Sequence, residues 1–436
     1  MSLATVQLWG SRIGAVRWQA ERAVADFEYD PAFLSSGIQL APRTMLLRSG
    51  VYSFPGLPPA SFQGLPGLLA DSLPDRFGNA VLDAWLASQG RLPSSLNPVE
   101  RLCYLGRRGM GALEFEPQLD SAPAPVDQRI EIAALVELAD AVLADRSSLS
   151  TRLQSGGASR AVQDILRVGT SAGGARAKAV IAWNTETGEV RSGQADSAEG
   201  FSHWLLKFDG VQHNRDRELL DPQGFGLIEF AYAHMARAAG IEISECRILA
   251  EGGRNHFVTR RFDRTANGDK LHMQTLAAMA HLDFHHPGGA SYEQAMLEMR
   301  ALELPTEQVE QFYRRMVFNI VARNQDDHVK NFAFLMDRRG RWSLAPAYDI
   351  TFAYNPDGAW TSRHQMRMNG KREDFARADF TACESAVSLV RGRGLRMLDE
   401  VLEVVAEWPR FAAEAGVPDK WAAQIGAQHR RQSLAR

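Results

Sequence analysis

ARNQDDHVKNFAFLMDRRGRWSLAPAYDI, residues 322–350, is the stretch on which the reading of the fold turns. It opens where a helix closes. In QVEQFYRRMVFNIVARN (308–324), Val309, Phe312, Met316, Ile320 and Val321 recur on one face, the spacing of a buried helix. FAFLM and WSL then read as two short strands around a DRRG turn, with a second acid beyond the hairpin. The order helix, loop, hairpin, acid places Asp326, Asn331 and Asp349 on loops at one end of the hairpin.

Phosphoryl transfer needs such a set: a carboxylate beside the acceptor hydroxyl, and oxygen ligands for a magnesium ion bridging the phosphates. Asp326 and Asn331 have the Asp-x4-Asn spacing of a protein-kinase catalytic loop, with Asp as base and Asn as metal ligand. Asp349 then takes the place of the second metal-binding aspartate. The loop is not HRD, and the hairpin ends in AYD rather than DFG. Ordinary turn chemistry explains Asp, Asn and His in a loop equally well. Asp326, Asp327 and His328, with His281, His285 and His286, also compose a possible hydrolase metal set, although HHPGG reads more simply as a surface loop.

Further toward the N-terminus three weaker signals fall in order. VGTSAGGARAKAV (168–180) is a small-residue loop between strands, whose backbone amides at Ser171, Ala172, Gly173 and Gly174 could cradle phosphates; a flexible turn is the plain alternative. HWLLKF (203–208) puts Lys207 in an apolar strand, on the face opposite Trp204, Leu206 and Phe208. A charge there is costly without a partner. ATP phosphates and Glu229, in the helix LIEFAYAHMARAAG (227–240), are the candidate partners; a solvent-facing lysine is the competing reading. FVTRRF (257–262) is another strand. Glycine loop, strand lysine, helix glutamate, hinge-like strand, helical segment, Asp-x4-Asn and Asp is the linear order of a two-lobed kinase.

Residues 1–117 mix short strands with Gly/Pro loops such as SFPGLPPASFQGLPG, beginning with a strand at Ala4–Leu8. LPDRFGNAVLDAWLASQG (73–90) reads as a helix stopped by Gly90, and GMGALEFEP (109–117) as a turn into a strand. QLDSAPAPVDQ (118–128) is the best linker candidate, followed by a helix at about 130–144. The fold class expected is α+β: a two-lobed protein-kinase-like fold, with an extra mixed α/β N-terminal subdomain (1–125), a strand-rich nucleotide-binding lobe (126–268) and a helical catalytic C-terminal lobe (269–436).

The whole chain agrees with a soluble enzyme. Its 436 residues exceed one core, 45% are hydrophobic and 23% charged, and the net charge of −3 favours neither nucleic acid nor an anionic membrane. Three scattered cysteines lack metal or disulfide spacing and suit a reducing cytosol. There is no signal-peptide pattern and no 18-residue uncharged apolar run, so a cytoplasmic location without a membrane partner is expected. Basic residues at 363–372 and in the tail QHRRQSLAR could touch substrate, tRNA or DNA, with solvated surface the preferred reading.

The chain resembles the HipA family of toxin kinases over nearly its whole length. GMGALEFEP and LPDRFGNAVL resemble the family's N-terminal subdomain, SAGGARAK its phosphate loop, RRFDR (260–264) its hinge strand, and NQDDHVKNF with LAPAYD its catalytic and metal-binding segments; RMNGK (367–371) also fits. The resemblance implies a Ser/Thr kinase using ATP and Mg²⁺, with Asp326 as proton acceptor and Asn331 and Asp349 as metal ligands. It implies ATP contacts from Ser171 to Gly174, Lys178, Lys207, Arg260, Arg261, Phe262, His328, Lys330 and Tyr348. It further implies a substrate in the translation machinery, such as an aminoacyl-tRNA synthetase, and growth arrest. A small helix-turn-helix antitoxin (HipB-like) would carry the contact with operator DNA. Autophosphorylation at Ser171 would add about −1.5 to −2 charge beside the phosphate site and expel the loop. Two departures stand out: Arg323 where a glycine often precedes the Asn-x-Asp, and Ala177 where relatives carry proline before Lys178. A small-molecule kinase and a catalytically idle corepressor partner are the alternative functions.

Overall fold

Alternation of apolar and polar residues makes the first sheet. In β1 (Leu3–Leu8), Ala4, Val6 and Leu8 turn inward and are at most 2% exposed. β1 pairs antiparallel with β2 (Ser11–Gln19), which pairs with β3 (Val24–Tyr29) and so to β4 (Val51–Ser53). β5 (Leu113–Glu116), from the GMGALEFEP segment, closes the order β4-β3-β2-β1-β5. Gly14 is required where β2 meets β3, because a Cβ there would stand 2.4 Å from the Glu28 carbonyl. The computed structural model describes residues 3–119, 130–144, 176–193, 199–211 and 223–435. The strand expected before the small-residue loop and the loop residues Ser171, Ala172, Gly173 and Gly174 lie outside the described residues, as does most of the linker candidate.

Helix α1 (Arg76–Ser88) starts at Asp75, whose carboxylate accepts from the Gly78 amide at 2.6 Å. Helix α2 (Pro98–Leu105) starts with a reciprocal Asn97/Glu100 capping box, and helix α3 spans Ile132–Ala144. A second sheet has the order β7-β6-β8-β10-β9, from β6 (Lys178–Trp183), β7 (Val190–Ser192), β8 (Ser202–Lys207), β9 (Cys246–Glu251) and β10 (Arg254–Arg260). β8 pairs antiparallel with both β6 and β10, so the strands expected in this stretch form an antiparallel sheet. Phe77 and Val81 of α1, Leu135 and Val136 of α3, and Ile181, Trp204, Leu206 and Val258 of the sheet form one core.

The chain packs as two units. The first takes residues up to Gln223, Leu249–Gln274 and Leu335–Arg341; the second takes Gly224–Ile248, Thr275–Phe334 and Trp342–Arg436. β11 (His272–Thr275), β12 (Ala333–Met336) and β13 (Trp342–Leu344) form a small third sheet in that order.

The second unit is mostly helical: α4 (Phe225–Ala238), α5 (Leu276–Ala280), α6 (Tyr292–Ala301), α7 (Thr306–Val321), α8 (Arg377–Ala386), α9 (Arg393–Ala406), α10 (Trp408–Glu414) and α11 (Asp419–Gln428). The five residues that predicted α7, Val309, Phe312, Met316, Ile320 and Val321, are all 0% exposed. Each contributes roughly 1.5–3 kcal/mol by leaving water, so α7 is the axis on which the loops after it are fixed. Among the described residues, no helix is long and apolar enough to cross a membrane.

Candidate active site

α7 ends at Val321, and the chain must turn at once to form the loop. Arg323 makes that turn with φ +59°, the left-handed region that glycine occupies without strain. The arginine is held there by three contacts: its guanidinium lies 4.2 Å from the Tyr354 ring centroid, Nε donates to the Gln428 carbonyl, and Nη1 donates to Gln325 Oε1. The departure noted in the sequence is thus accommodated, not avoided.

Beyond it the loop runs extended, and burial alternates. Gln325, Asp327 and Val329 face inward, whereas Asp326, His328 and Lys330 are only partly covered. The adjacent acids therefore point in opposite directions, as an extended backbone dictates. Asp327 is fully buried and its carboxylate is saturated: it accepts from the Tyr292 hydroxyl (2.6 Å), His364 Nδ1 (2.8 Å) and the Gln365 amide (2.7 Å). Burial alone would raise its pKa, but His364, the hydrogen bonds from His364 and Tyr292, and the Gln365 amide hold it below the usual carboxylate range. A carboxylate fully buried and already engaged by three donors is not presented to a metal, which argues against Asp327 in the hydrolase set.

Asp326 is different. Its side chain keeps 33% of its exposure, accepts from Trp360 Nε1 at 2.6 Å, and has His328 Nε2 at 3.7 Å. Its pKa is raised, first by burial and then by the Asp349 and Asp327 carboxylates, against the opposing pull of His328 and Trp360. Asp349 is close enough to act on Asp326 electrostatically, and it sits in a left-handed turn at φ +52°. Asn331 Nδ2 donates to the Asp326 carbonyl at 2.7 Å, so that Oδ1 is the atom that could hold a cation. Tyr348 donates to the Lys330 carbonyl at 2.6 Å, tying the AYD segment to the same loop. Asp326, Asn331 and Asp349 are therefore gathered at one place.

An oxygen-only set of two carboxylates and one amide suits a hard cation such as Mg²⁺ completed by phosphate oxygens. Among the described residues, no three His, Cys, Asp or Glu groups are placed to hold a metal by themselves.

The remaining predicted residues lie on other elements. In the first unit, Lys178 and Lys207 are register partners on β6 and β8, 2% and 8% exposed. Lys178 Nζ lies 3.8 Å from Asp75 Oδ2, both buried. Lys207 stands over the Phe257 ring, 5.7 Å from its centroid. Burial excludes the solvent-facing reading of Lys207. Glu229 is 1% exposed on α4 of the second unit. In RRFDR, Arg260 is exposed and Phe262 half-buried, but Arg261 is turned inward onto Asp263, with contacts of 2.9 and 2.7 Å.

Sequence reasoning missed Trp360, Tyr292, His364, Gln365 and Arg430, whose roles depend on contacts far away in the chain. The surface reading of the basic residues holds for Arg363, Arg367 and Lys371 but not for His364, nor for His429 and Arg430 of the tail. Arg363, Arg367 and Lys371 are exposed, but His364, Gln365, Met366 and Met368 between them are buried, as are His429, Arg430 and Leu434 of the tail.

Comparison with known proteins fits this geometry. Residues 170–429 match the HipA-like C-terminal domain, and residues 4–116 the HipA N-terminal domain. Kinase-named Y4mE of Sinorhizobium fredii is 27% identical over 313 residues, covering 67% of this chain and 66% of that protein. Kinase-named Y4dM of the same organism is 27% identical over 159 residues, covering 34% and 36%. A kinase-named protein of Haemophilus influenzae is 30% identical over 135 residues, covering 28% and 39%. The matches therefore span less than two thirds of these relatives' own length. The HipA chain of Shewanella oneidensis, solved in a complex with HipB and its operator DNA, superposes with a TM-score of 0.69 at 18% identity, over 99% of this chain and 96% of that one. By fold and loop set, the protein falls in a class whose relatives carry kinase names. It belongs to the HipA family.

Proposed function

We propose that the protein is an ATP- and Mg²⁺-dependent protein serine/threonine kinase, the toxin of a toxin–antitoxin module. The observation that carries this is the pairing of a half-open Asp326 with Asn331 and Asp349, while the neighbouring Asp327 is locked away. Asp326 accepts the proton of the acceptor hydroxyl, and Trp360 orients the carboxylate that receives it. Asn331 and Asp349 hold Mg²⁺, which when bound neutralises phosphate charge during transfer. Lys207 and Lys178 engage ATP phosphates, and the backbone around Arg260–Phe262 and Tyr348 meets the adenine. Kinase names among the relatives and the Shewanella HipA–HipB–operator complex support the reading. By the same support, a HipB-like helix-turn-helix antitoxin is the partner that reaches DNA; on the sequence resemblance alone, a component of translation such as an aminoacyl-tRNA synthetase is the substrate, and Ser171 is a site of autophosphorylation.

Purified protein incubated with labelled ATP, Mg²⁺ and a cell lysate is expected to label protein bands on Ser or Thr. Label confined to metabolites makes it a small-molecule kinase. No label, with growth effects unchanged in Asp326→Ala, makes it an idle corepressor. Intact mass is expected to show a phosphate adduct that Ser171→Ala removes.

A further inference from the structure

The C-terminal segment after α11 does not leave the protein. Arg430 is 8% exposed and runs back onto the core of the second unit: its amide donates to the Val321 carbonyl at 2.9 Å, and Nη1 donates to the Ile320 carbonyl at 3.0 Å. Those are the last turns of α7, immediately before the active loop. Nη2 donates to Gln325 Oε1 at 3.2 Å, inside that loop, and Nη1 also lies 2.7 Å from His364 Nε2.

This last contact fixes a proton. An arginine can only donate, so Nε2 of His364 must be the acceptor and carries no hydrogen. The ring proton is then on Nδ1, where it is donated to Asp327 at 2.8 Å. The Tyr292 hydroxyl, itself receiving from Asn319 Nδ2 at 3.1 Å, completes the cage around Asp327. A chain of hydrogen bonds thus runs from the C-terminal segment through one imidazole to the residue beside Asp326.

We propose that Arg430 is a positioning residue for phosphoryl transfer: through His364 it holds Asp327, and Asp327 sets the direction of Asp326. The proposal rests on the kinase reading above for its consequence, though not for its geometry. The groups facing His364 decide what happens without Arg430. They are Asp327 on the active loop, Arg430 on the C-terminal segment, Arg323 after α7, and Arg372, whose Nε donates to the His364 carbonyl; the Phe375 ring, edge-on at 5.5 Å, carries no charge. With Arg430 present the ring stays neutral, its pKa lowered first by burial and then by Arg430 and Arg323 against the pull of Asp327. In Arg430→Met one opposing cation is gone, Nε2 loses its donor, and the Asp327 carboxylate alone holds the ring through Nδ1. The neutral ring, no longer anchored at Nε2, can then turn and loosen its single bond to Asp327, whereas the protonated ring is drawn to Asp327 as an ion pair.

The test is kcat and KM for Mg·ATP across pH, expressed as the ratio of variant to wild type. Arg430→Met is expected to lower kcat at least about tenfold near pH 8, the scale of a misplaced catalytic group, to recover most of it near pH 6, and to leave KM for Mg·ATP unchanged. Arg430→Lys, which keeps a cation and a donor, is expected to give a pH-flat ratio. A uniform loss at all pH values, or no loss, overturns the proposal. A second readout needs no catalysis: ¹⁵N spectra of the full-length protein, with His364 assigned by its absence in His364→Gln. The wild-type ring is expected to stay neutral and protonated on Nδ1 across this range, and the Arg430→Met ring to titrate. A wild-type ring with its proton on Nε2 sinks the relay; an inactive wild type with the expected spectrum sinks only the kinase reading.

Discussion

Two carboxylates joined by one peptide bond meet opposite surroundings at 326 and 327, and the contrast is measurable. Asp327 is stabilised by three donors, whereas Asp326 is held part-desolvated beside Asp349, with a raised pKa. A carboxyl whose folded pKa lies above its unfolded value favours the folded state only when protonated, and it opposes folding at neutral pH. Asp326→Asn is therefore expected to lower transfer by about 10²–10⁴-fold while its Tm at pH 7 is equal to or above wild type; a clear drop in Tm would assign Asp326 to structure. In wild type, kcat should fall as pH drops through the raised Asp326 pKa, because the base must be ionised. Arg323 offers a second contrast. Its left-handed φ costs about 1 kcal/mol that glycine does not incur, yet its three contacts are lost in either small variant. Arg323→Ala keeps the strain and loses the contacts, so it should be less stable than Arg323→Gly by about 1 kcal/mol in urea unfolding.

Helix α1 and strand β6 are joined by one buried pair, Asp75 with Lys178, and Asp75 also caps the helix. Removing it takes a carboxylate from beside the buried Lys178 ammonium and leaves the helix uncapped. Asp75→Ala is expected to cost on the order of 3 kcal/mol or more. Asp75→Asn, which keeps the cap but not the charge, should retain only part of the loss; no loss in Asp75→Asn would mean that the ion pair contributes nothing, and equal losses in the two variants that the cap does not. Elements of this kind were readable in sequence when their pattern was local. The apolar face of α7, the alternation of β1, the Gly90 stop after α1 and the hairpin around DRRG all come from neighbours within a few residues. The carboxylate, amide and carboxylate of the active loop were readable for the same reason. His364 and Arg430 were not, because nothing near them in the chain announces burial. Their partners stand 37 and 110 residues away, and a basic, polar stretch looks like surface until those partners are known.

At the scale of the whole chain, the order of motifs was readable, but the way distant stretches fold onto each other was not. Within the first unit, Asp263 of the RRFDR stretch accepts from the Gly111 amide at 2.7 Å and from Arg264 at 2.8 Å, besides the paired contacts with Arg261. It thereby joins the end of β10 to the segment that opens β5, 152 residues earlier. Lys270 adds a contact of 2.8 Å to Glu114 in the same place. The Asp263 side chain is fully buried; burial alone would raise its pKa, but the Arg261 and Arg264 guanidiniums hold the carboxyl far below the usual range. A depressed folded pKa contributes stability that is present above the unfolded carboxylate value, about 4, and is lost as pH falls toward the folded one. Amide exchange in β5 and β10 of the wild type should thus remain slow at neutral pH and quicken together below about pH 4. Asp263→Asn takes the shared carboxylate from Arg261 and Arg264, and should exchange faster in both strands already at pH 7, at a cost of about 3–5 kcal/mol. If β10 loosens in the variant while β5 does not, the two stretches are separate bodies. If both loosen, the N-terminal stretch matched as its own domain is held in place by one carboxylate from far along the chain.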